Sequence, residues 1–281
     1  MKELIVTGSV TLVSLSGNNY DDAVGTFCHI SWDHYKEHPD EGTNSILILE
    51  ISFLFDISIH FVSCSLVPFF NLVMEESPHC KLNPFKFSLR QAVEATKIYE
   101  ETKKDEYSHT IIPTGFIFHE SHCGSTLVAN SLETMNPTQN LVYSEADAPL
   151  AALSVCEDEF EKCSIETAAK LFQNVVYMMG RTNDAEKKYL FFKIQSIGTR
   201  YMKVLEHAFP DTPWIFIYRE PIEVLVSHMH ESKMEHIKKV QSRYYQSKAF
   251  ARVIESEGIT ENDLTLEDFC AIFMVRTLKC N

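Results

Sequence analysis

Basic residues are in short supply. Lysine and arginine total 25 against 39 aspartates and glutamates, a formal net charge of −14. Nucleic-acid affinity needs clustered cations that neutralise phosphates, so the chain has no general polyanion surface and no nucleic-acid partner is expected. An anionic ligand must instead find a locally basic pocket. Paired cysteine motifs are missing too: Cys28, Cys64, Cys80, Cys123, Cys156, Cys163, Cys270 and Cys280 include no CxxC and lie far apart in a chain of 281 residues. A chain of that size does not need disulfide staples, which predicts reduced, mostly buried thiols. There is no Asn-x-Ser/Thr sequon, because Asn136-Pro137-Thr138 carries the forbidden proline. Nor does the N-terminus combine a basic region, an apolar core and a small-residue cleavage site, so no signal peptide is read and a cytoplasmic location is expected. Repeats and low-complexity segments are absent.

What is present suits a globular enzyme-sized protein. Apolar residues make up 45% and aromatics 11% of the chain, enough for one large or two modest domains. Residues 1–77 carry no interpretable motif; Leu4 to Leu15 reads as one or two short strands. The stretch 46–74 is apolar and long enough to cross a bilayer, but Glu50, Asp56, His60 and Pro68 interrupt it. Buried strands or an insertion are preferred there. A membrane-spanning segment, with a Golgi-type membrane-associated protein, is the alternative.

From residue 78 the texture changes. Ser88 caps a helix whose apolar face runs through Ala92, Val93, Ala95, Ile98 and Tyr99 to a charged end near Lys104. Strand and helix patterns then alternate. A strand at Ile111 to Phe118 leads into a helix through Leu127, Val128, Leu132 and Met135, which stops at Pro137. A strand at Leu141 to Tyr143 precedes helices at Pro149 to Val155 and Ile165 to Met179. A strand at Tyr189 to Ile194 is followed by a helix at Ile197 to Ala208, a strand at Trp214 to Tyr218 and a helix from Pro221. Thr265 and Asp268 have capping-box spacing. Such repetition predicts an α/β fold, a three-layer P-loop NTPase-like domain over 78–281 with a central parallel sheet covered by helices.

Two strand-to-helix junctions carry the chemistry. In the first, Phe118 runs through His119-Glu120-Ser121-His122-Cys123-Gly124-Ser125-Thr126 into a helix. Free N–H groups at a helix start, the helix dipole and a glycine that admits close approach together make a phosphate site. The Walker A pattern wants Lys after its glycine, and Ser125 stands there, so an ordinary ATPase loop is disfavoured. By itself such a turn serves equally well as a helix cap. The second junction, Tyr218-Arg219-Glu220-Pro221, puts Arg219 at a strand's carboxyl edge and Ser227 two helical turns further on, where both can meet one anion.

The two junctions together resemble the P-loop sulfotransferase family, over about Thr114 to His230. The resemblance implies that Ser121, His122, Cys123, Gly124, Ser125 and Thr126 cradle the 5′-phosphosulfate of 3′-phosphoadenosine 5′-phosphosulfate (PAPS), while Arg219 and Ser227 bind its 3′-phosphate. Lys193, in Leu190-Phe191-Phe192-Lys193-Ile194-Gln195, matches the family's strand lysine. A lysine ending a buried strand is expensive to desolvate, and an anionic partner is expected; snorkelling to solvent is the alternative. Implied partners are the nucleotide co-substrate and a hydroxyl or amine acceptor.

Departures are specific. His122 stands where the family has Lys or Arg, Gln195 where cytosolic members have the catalytic histidine, and Leu127 where they have tryptophan. Glu145, after the next strand, is placed like the glutamate some branches use as general base, with Lys193, His122 and the loop N–H groups stabilising the departing phosphate. The family's later Arg-Lys-Gly element has no counterpart, which suggests an incomplete or divergent member. A P-loop kinase or NTPase, or a degenerate non-catalytic nucleotide-binding protein, are the alternatives. No metal is expected: His228 and His230 point about 200° apart on a helix, and neither they nor His236 have a completing ligand. Cys123 reads as turn filling, although a helix start lowers thiol pKa values. Arg243, Tyr244 and Tyr245 read as an amphipathic helix.

Overall fold

A computed structural model describes residues 1–17, 21–30, 70–102, 107–156 and 164–229, with isolated positions beyond. The apolar stretch 46–74 lies mostly outside the described residues, as do His230, His236, Arg243, Tyr244 and Tyr245. Among the described residues no helix is long and apolar enough to cross a membrane.

In chain order the elements are α1 (Lys2–Val6), β1 (Thr11–Ser16), β2 (Val24–Cys28), α2 (Phe70–Glu76), α3 (Pro78–Leu82), β3 (Phe85–Ser88), α4 (Leu89–Thr102), β4 (His109–Thr110), β5 (Pro113–His119) and α5 (Ser125–Met135). There follow β6 (Asn140–Ser144), α6 (Asp147–Leu153), α7 (Ile165–Met179), β7 (Arg181–Thr182), β8 (Tyr189–Lys193), a 3₁₀ turn (Ser196–Tyr201), α8 (Met202–Ala208), β9 (Trp214–Ile217) and α9 (Pro221–Met229). Two expectations need correction. Leu4 lies in a helix, because the chain turns at Gly8 (φ 72°) before β1 begins. The segment expected as one helix over Ile197 to Ala208 starts as a 3₁₀ turn and becomes α-helical at Met202.

The central sheet is parallel, ordered β6-β8-β5-β9. Side-chain alternation splits its faces. Phe116, Phe118, Leu141, Tyr143, Leu190 and Phe192 enter the main core with α6 and α7, while Ile117, Val142, Phe191 and Ile217 pack with Ala129, Val128 and Leu132 of α5. Helices therefore flank the sheet, and the α/β expectation holds at that level. β1, β2 and β3 form a separate antiparallel sheet, Val24 pairing with Ser88. Its residues join the same main core. Arg181, 3% exposed, ties the N-terminus in by donating from Nε to the Val6 carbonyl (2.8 Å) and from Nη1 to Glu100 (2.8 Å).

The cysteine expectation is overturned. Cys28 and Cys80 are disulfide-bonded with their Cα atoms 5.1 Å apart, and Cys156 is also disulfide-bonded. A separation of 52 residues hides this in the sequence; the pairing of β2 with β3, just after α3, brings the two within bridging range.

Candidate phosphate-binding site

Parallel strands end together, so the carboxyl edge of the sheet gathers His119 from β5, Glu145 after β6, Lys193 from β8 and Arg219 after β9. Strand alternation turns Lys193 to the same face as Phe191, toward α5. Its side chain is 1% exposed, and Nζ donates to the Thr126 hydroxyl (3.2 Å) and to the Glu145 carboxylate. Snorkelling to solvent is thus excluded, and the anionic partner is Glu145.

Glu145 also approaches Nε2 of His119 at 3.4 Å. Burial opposes its ionisation, but contact with His119 and the charge of Lys193 outweigh it, holding the carboxyl at about 2. His119 is pushed down by burial and pulled up more strongly by Cys123 and Glu145, ending above its ordinary value. The Glu145 backbone is fixed from two sides, its N–H bonding to the Lys193 carbonyl (2.8 Å) and its carbonyl accepting from the Gln195 amide (3.1 Å). Gln195 also reaches Asp147 at 2.9 Å. At the position of the family's histidine it therefore positions a neighbour and takes no proton.

The turn is open at its glycine. Gly124 caps α5 at φ 91°, makes no side-chain cap bond, and has nothing within 4 Å of where a Cβ would sit. Ser125 and Thr126 are helical residues just inside the start, so the purely capping role weighed for them is not the one they take. Backbone strain gathers here as well: His122 (φ 58°) and Glu145 (φ 55°) are the non-glycine residues with positive φ among those described. Such conformations cost about 1–3 kcal/mol each and cluster at functional sites.

The second junction meets the first. His122 Nδ1 and the Ser227 hydroxyl are 2.8 Å apart. Arg219 is anchored through its backbone N–H to Glu120 Oε1 (2.9 Å), and its exposed guanidinium pairs with Glu223 (2.6 Å). An exposed pair of this kind is worth about 0.3–0.5 kcal/mol, so Glu223 holds the guanidinium only weakly. Ser121 and Cys123 lie in the turn, half-buried.

His119 and Glu120 belong to the turn as read from the sequence, but their residue types alone give them no role in it. Glu120 is 2% exposed and its Oε2 has no hydrogen-bond partner. A charged residue directly following a buried strand's last position was the available signal. Among the described residues no group of His, Cys, Asp or Glu is arranged to hold a metal. A cavity of about 220 Å³, lined by Lys97, Pro113, Lys170 and Tyr177 among others, opens at the amino end of β5 and shares no residue with this cluster.

Comparison with known proteins gives no match: no family model, curated protein or solved structure is significantly similar to the chain.

The ion pairs make stability acid-sensitive. Glu145 titrates at about 2 in the fold against an ordinary 4.5. A depressed carboxyl contributes stability that is present above the unfolded value and lost as pH falls through the folded one, here up to about 3 kcal/mol. Glu145→Gln is expected to flatten the acid limb of the stability curve between those values, measured by urea unfolding at a series of pH values.

Proposed function

We propose that the chain is a sulfotransferase-like P-loop protein that binds PAPS and transfers its sulfuryl group to a hydroxyl or amine acceptor. The observation that carries the proposal is the contact between His122 and Ser227. It brings the turn suited to one phosphate together with the junction suited to another, which supports a ligand that carries more than one phosphate. In this reading the N–H groups of Gly124, Ser125 and Thr126 hold the 5′-phosphosulfate, and Arg219 turns from Glu223 to the 3′-phosphate with Ser227.

Lys193 has two roles in sequence. With the site empty it neutralises Glu145. With nucleotide bound it moves toward the bridging phosphate oxygen, where charge develops as the sulfur–oxygen bond breaks. A carboxylate held at about 2 is a poor base near neutrality. Losing Lys193 to the nucleotide raises the basicity of Glu145, so cofactor binding itself prepares it to accept the acceptor's proton. His122 adds a donor to the same phosphate. Disulfides at Cys28–Cys80 and at Cys156 favour an oxidising, Golgi-type compartment over the cytoplasm.

Calorimetric titration with adenosine 3′,5′-bisphosphate and, separately, with ATP and magnesium tests this. Binding of the bisphosphate alone is expected. Arg219→Ala should weaken it about tenfold or more, since a charge-assisted bond contributes about 1.5–3 kcal/mol. Binding of ATP with magnesium alone would move the protein to the kinase class, and binding of neither removes the nucleotide proposal.

A further inference from the structure

The cavity at the amino end of β5, about 220 Å³, lies between α4, α7 and the segment that joins β4 to β5. Ligands of open parallel sheets ordinarily bind at the carboxyl edge, whereas this cavity is at the other end and no residue of the phosphate turn lines it. What it binds is therefore separate from the nucleotide.

The formal charge of its lining is of one sign. Lys97 of α4 and Lys170 of α7 both line it, and neither takes part in an ion pair among the described residues. Glu100, next to the cavity on α4, is engaged elsewhere. Its Oε1 accepts from the Thr110 hydroxyl (2.7 Å) and from Arg181 (2.8 Å), and its Oε2 accepts from the Tyr177 hydroxyl (2.5 Å). Glu94 and Glu101 on α4 and Glu166 on α7 stand at helical spacing from the two lysines, yet none of them lines the cavity. Two cations from separate helices thus share one concavity in a chain whose net charge is −14. A cleft lined by charge of one sign concentrates the opposite ion.

The walls are apolar and held in place. Ile111, Pro113 and Val176 are buried and contribute to the lining. Phe209 is packed from behind by Phe116, with ring centroids 5.5 Å apart, and by Phe172 at 5.7 Å. Tyr177 is fixed by its bond to Glu100, and Lys97 Nζ sits 5.6 Å from the centroid of its ring. That attraction tethers the ammonium to the aromatic wall. A preformed apolar concavity with a few polar groups is the usual form of a small-molecule site, and drug-sized ligands fill roughly 300–1,000 Å³. This one suits a single-ring molecule and is too small for a nucleotide.

We propose that the cavity is a binding site for a small aromatic carboxylate, its ring against Tyr177 and Phe209 and its carboxylate between Lys97 and Lys170. Each half of the ligand answers a separate feature. The ring follows from the apolar walls, against which a bare inorganic anion loses hydration and gains little contact. The carboxylate follows from the two ammonium groups, which donate to it with charge assistance.

Titration of the full chain with para-fluorobenzoate, followed by the fluorine resonance of the ligand, tests this. The neutral para-fluorobenzyl alcohol supplies the ring without the charge, and inorganic phosphate, followed by its displacement of the acid, supplies charge without the ring. The acid is expected to bind about tenfold or more tightly than the alcohol. Lys97→Met and Lys170→Met keep apolar stems at exposed positions, and each should weaken the acid about threefold. The double variant should bind the acid no better than the alcohol, with binding of the alcohol unchanged. Equal binding of acid and alcohol by the wild-type chain, or no binding of the acid at millimolar concentration, overturns the site whatever the folding of the variants. Affinity for the acid that survives in the double variant places it elsewhere and overturns the site too. Phosphate that displaces the acid at equal concentration leaves only a surface anion patch and overturns the aromatic ligand. None of these outcomes depends on nucleotide binding, so they stand apart from the sulfotransferase proposal.

Discussion

Glu145→Gln is expected to lower the unfolding free energy at neutral pH by about 3 kcal/mol, a magnitude typical of removing one member of a buried pair. The cause is what the substitution leaves behind. Lys193 is 1% exposed, with Glu145 as its salt-bridge partner. Amide in place of carboxylate keeps the shape and removes the charge of Glu145, so the buried ammonium is compensated less well. Adding Lys193→Met should recover a large part of the loss, because removing both charges removes the desolvation cost together with the attraction. A double-mutant cycle followed by urea unfolding measures this coupling, expected at about 0.5–3 kcal/mol. Strictly additive losses would mean the two side chains do not support one another. The same substitution bears on function in the opposite sense: with no carboxylate to leave, Lys193 is freer to meet a phosphate. Nucleotide binding should survive Glu145→Gln while sulfuryl transfer is lost.

The second large effect is expected from Cys28 and Cys80. Their bridge closes a loop with a sequence separation of 52 residues, and the loop-closure entropy for that length corresponds to about 4 kcal/mol at 25 °C. Replacing both cysteines with alanine should lower stability by an amount approaching that figure. The double variant is preferable to a reducing agent, which would also open the disulfide at Cys156. Equal urea midpoints for wild type and double variant would show that the bridge contributes nothing to folding. The site should be little affected in a variant that remains folded, since the bridge joins β2 to α3 and the phosphate turn lies between β5 and α5.

Much of the fold was legible because its signals are local. The apolar face of α7 runs unbroken from Ile165 to Met179, and Ser164 caps it by accepting from the Thr167 N–H (3.2 Å), so its limits coincide with the expected ones. The capping box at Thr265 and Asp268 forms as its spacing suggests, with bonds of 3.0 and 3.1 Å. Where local signals compete, the limits were missed. Leu4 to Leu15 mixes apolar residues with neither a clean period of two nor one of 3.6, and the helix at Lys2–Val6 is too short to declare itself.

At the site, the turn from His119 to Thr126 could be read from its order along the chain: buried strand, small polar residues, glycine, helix. Its chemistry is local too, since unpaired N–H groups at a helix start arise from backbone geometry alone. What surrounds the turn is a product of folding. Lys193 could be expected to find an anion, but that Glu145 is the one follows from β6 and β8 lying side by side, Ser144 opposite Lys193. His122 meets Ser227 across 105 residues because β5 and β9 are neighbours in the sheet. His119 reaches Glu145 at 3.4 Å only because β5 lies beside β8, which in turn borders β6. Residue order and periodicity settle which segments are helix or strand and where backbone donors are left over. Charge pairing, proton affinity and disulfide bonding depend on distances between residues remote in sequence, and those distances exist only once the strands have taken their places.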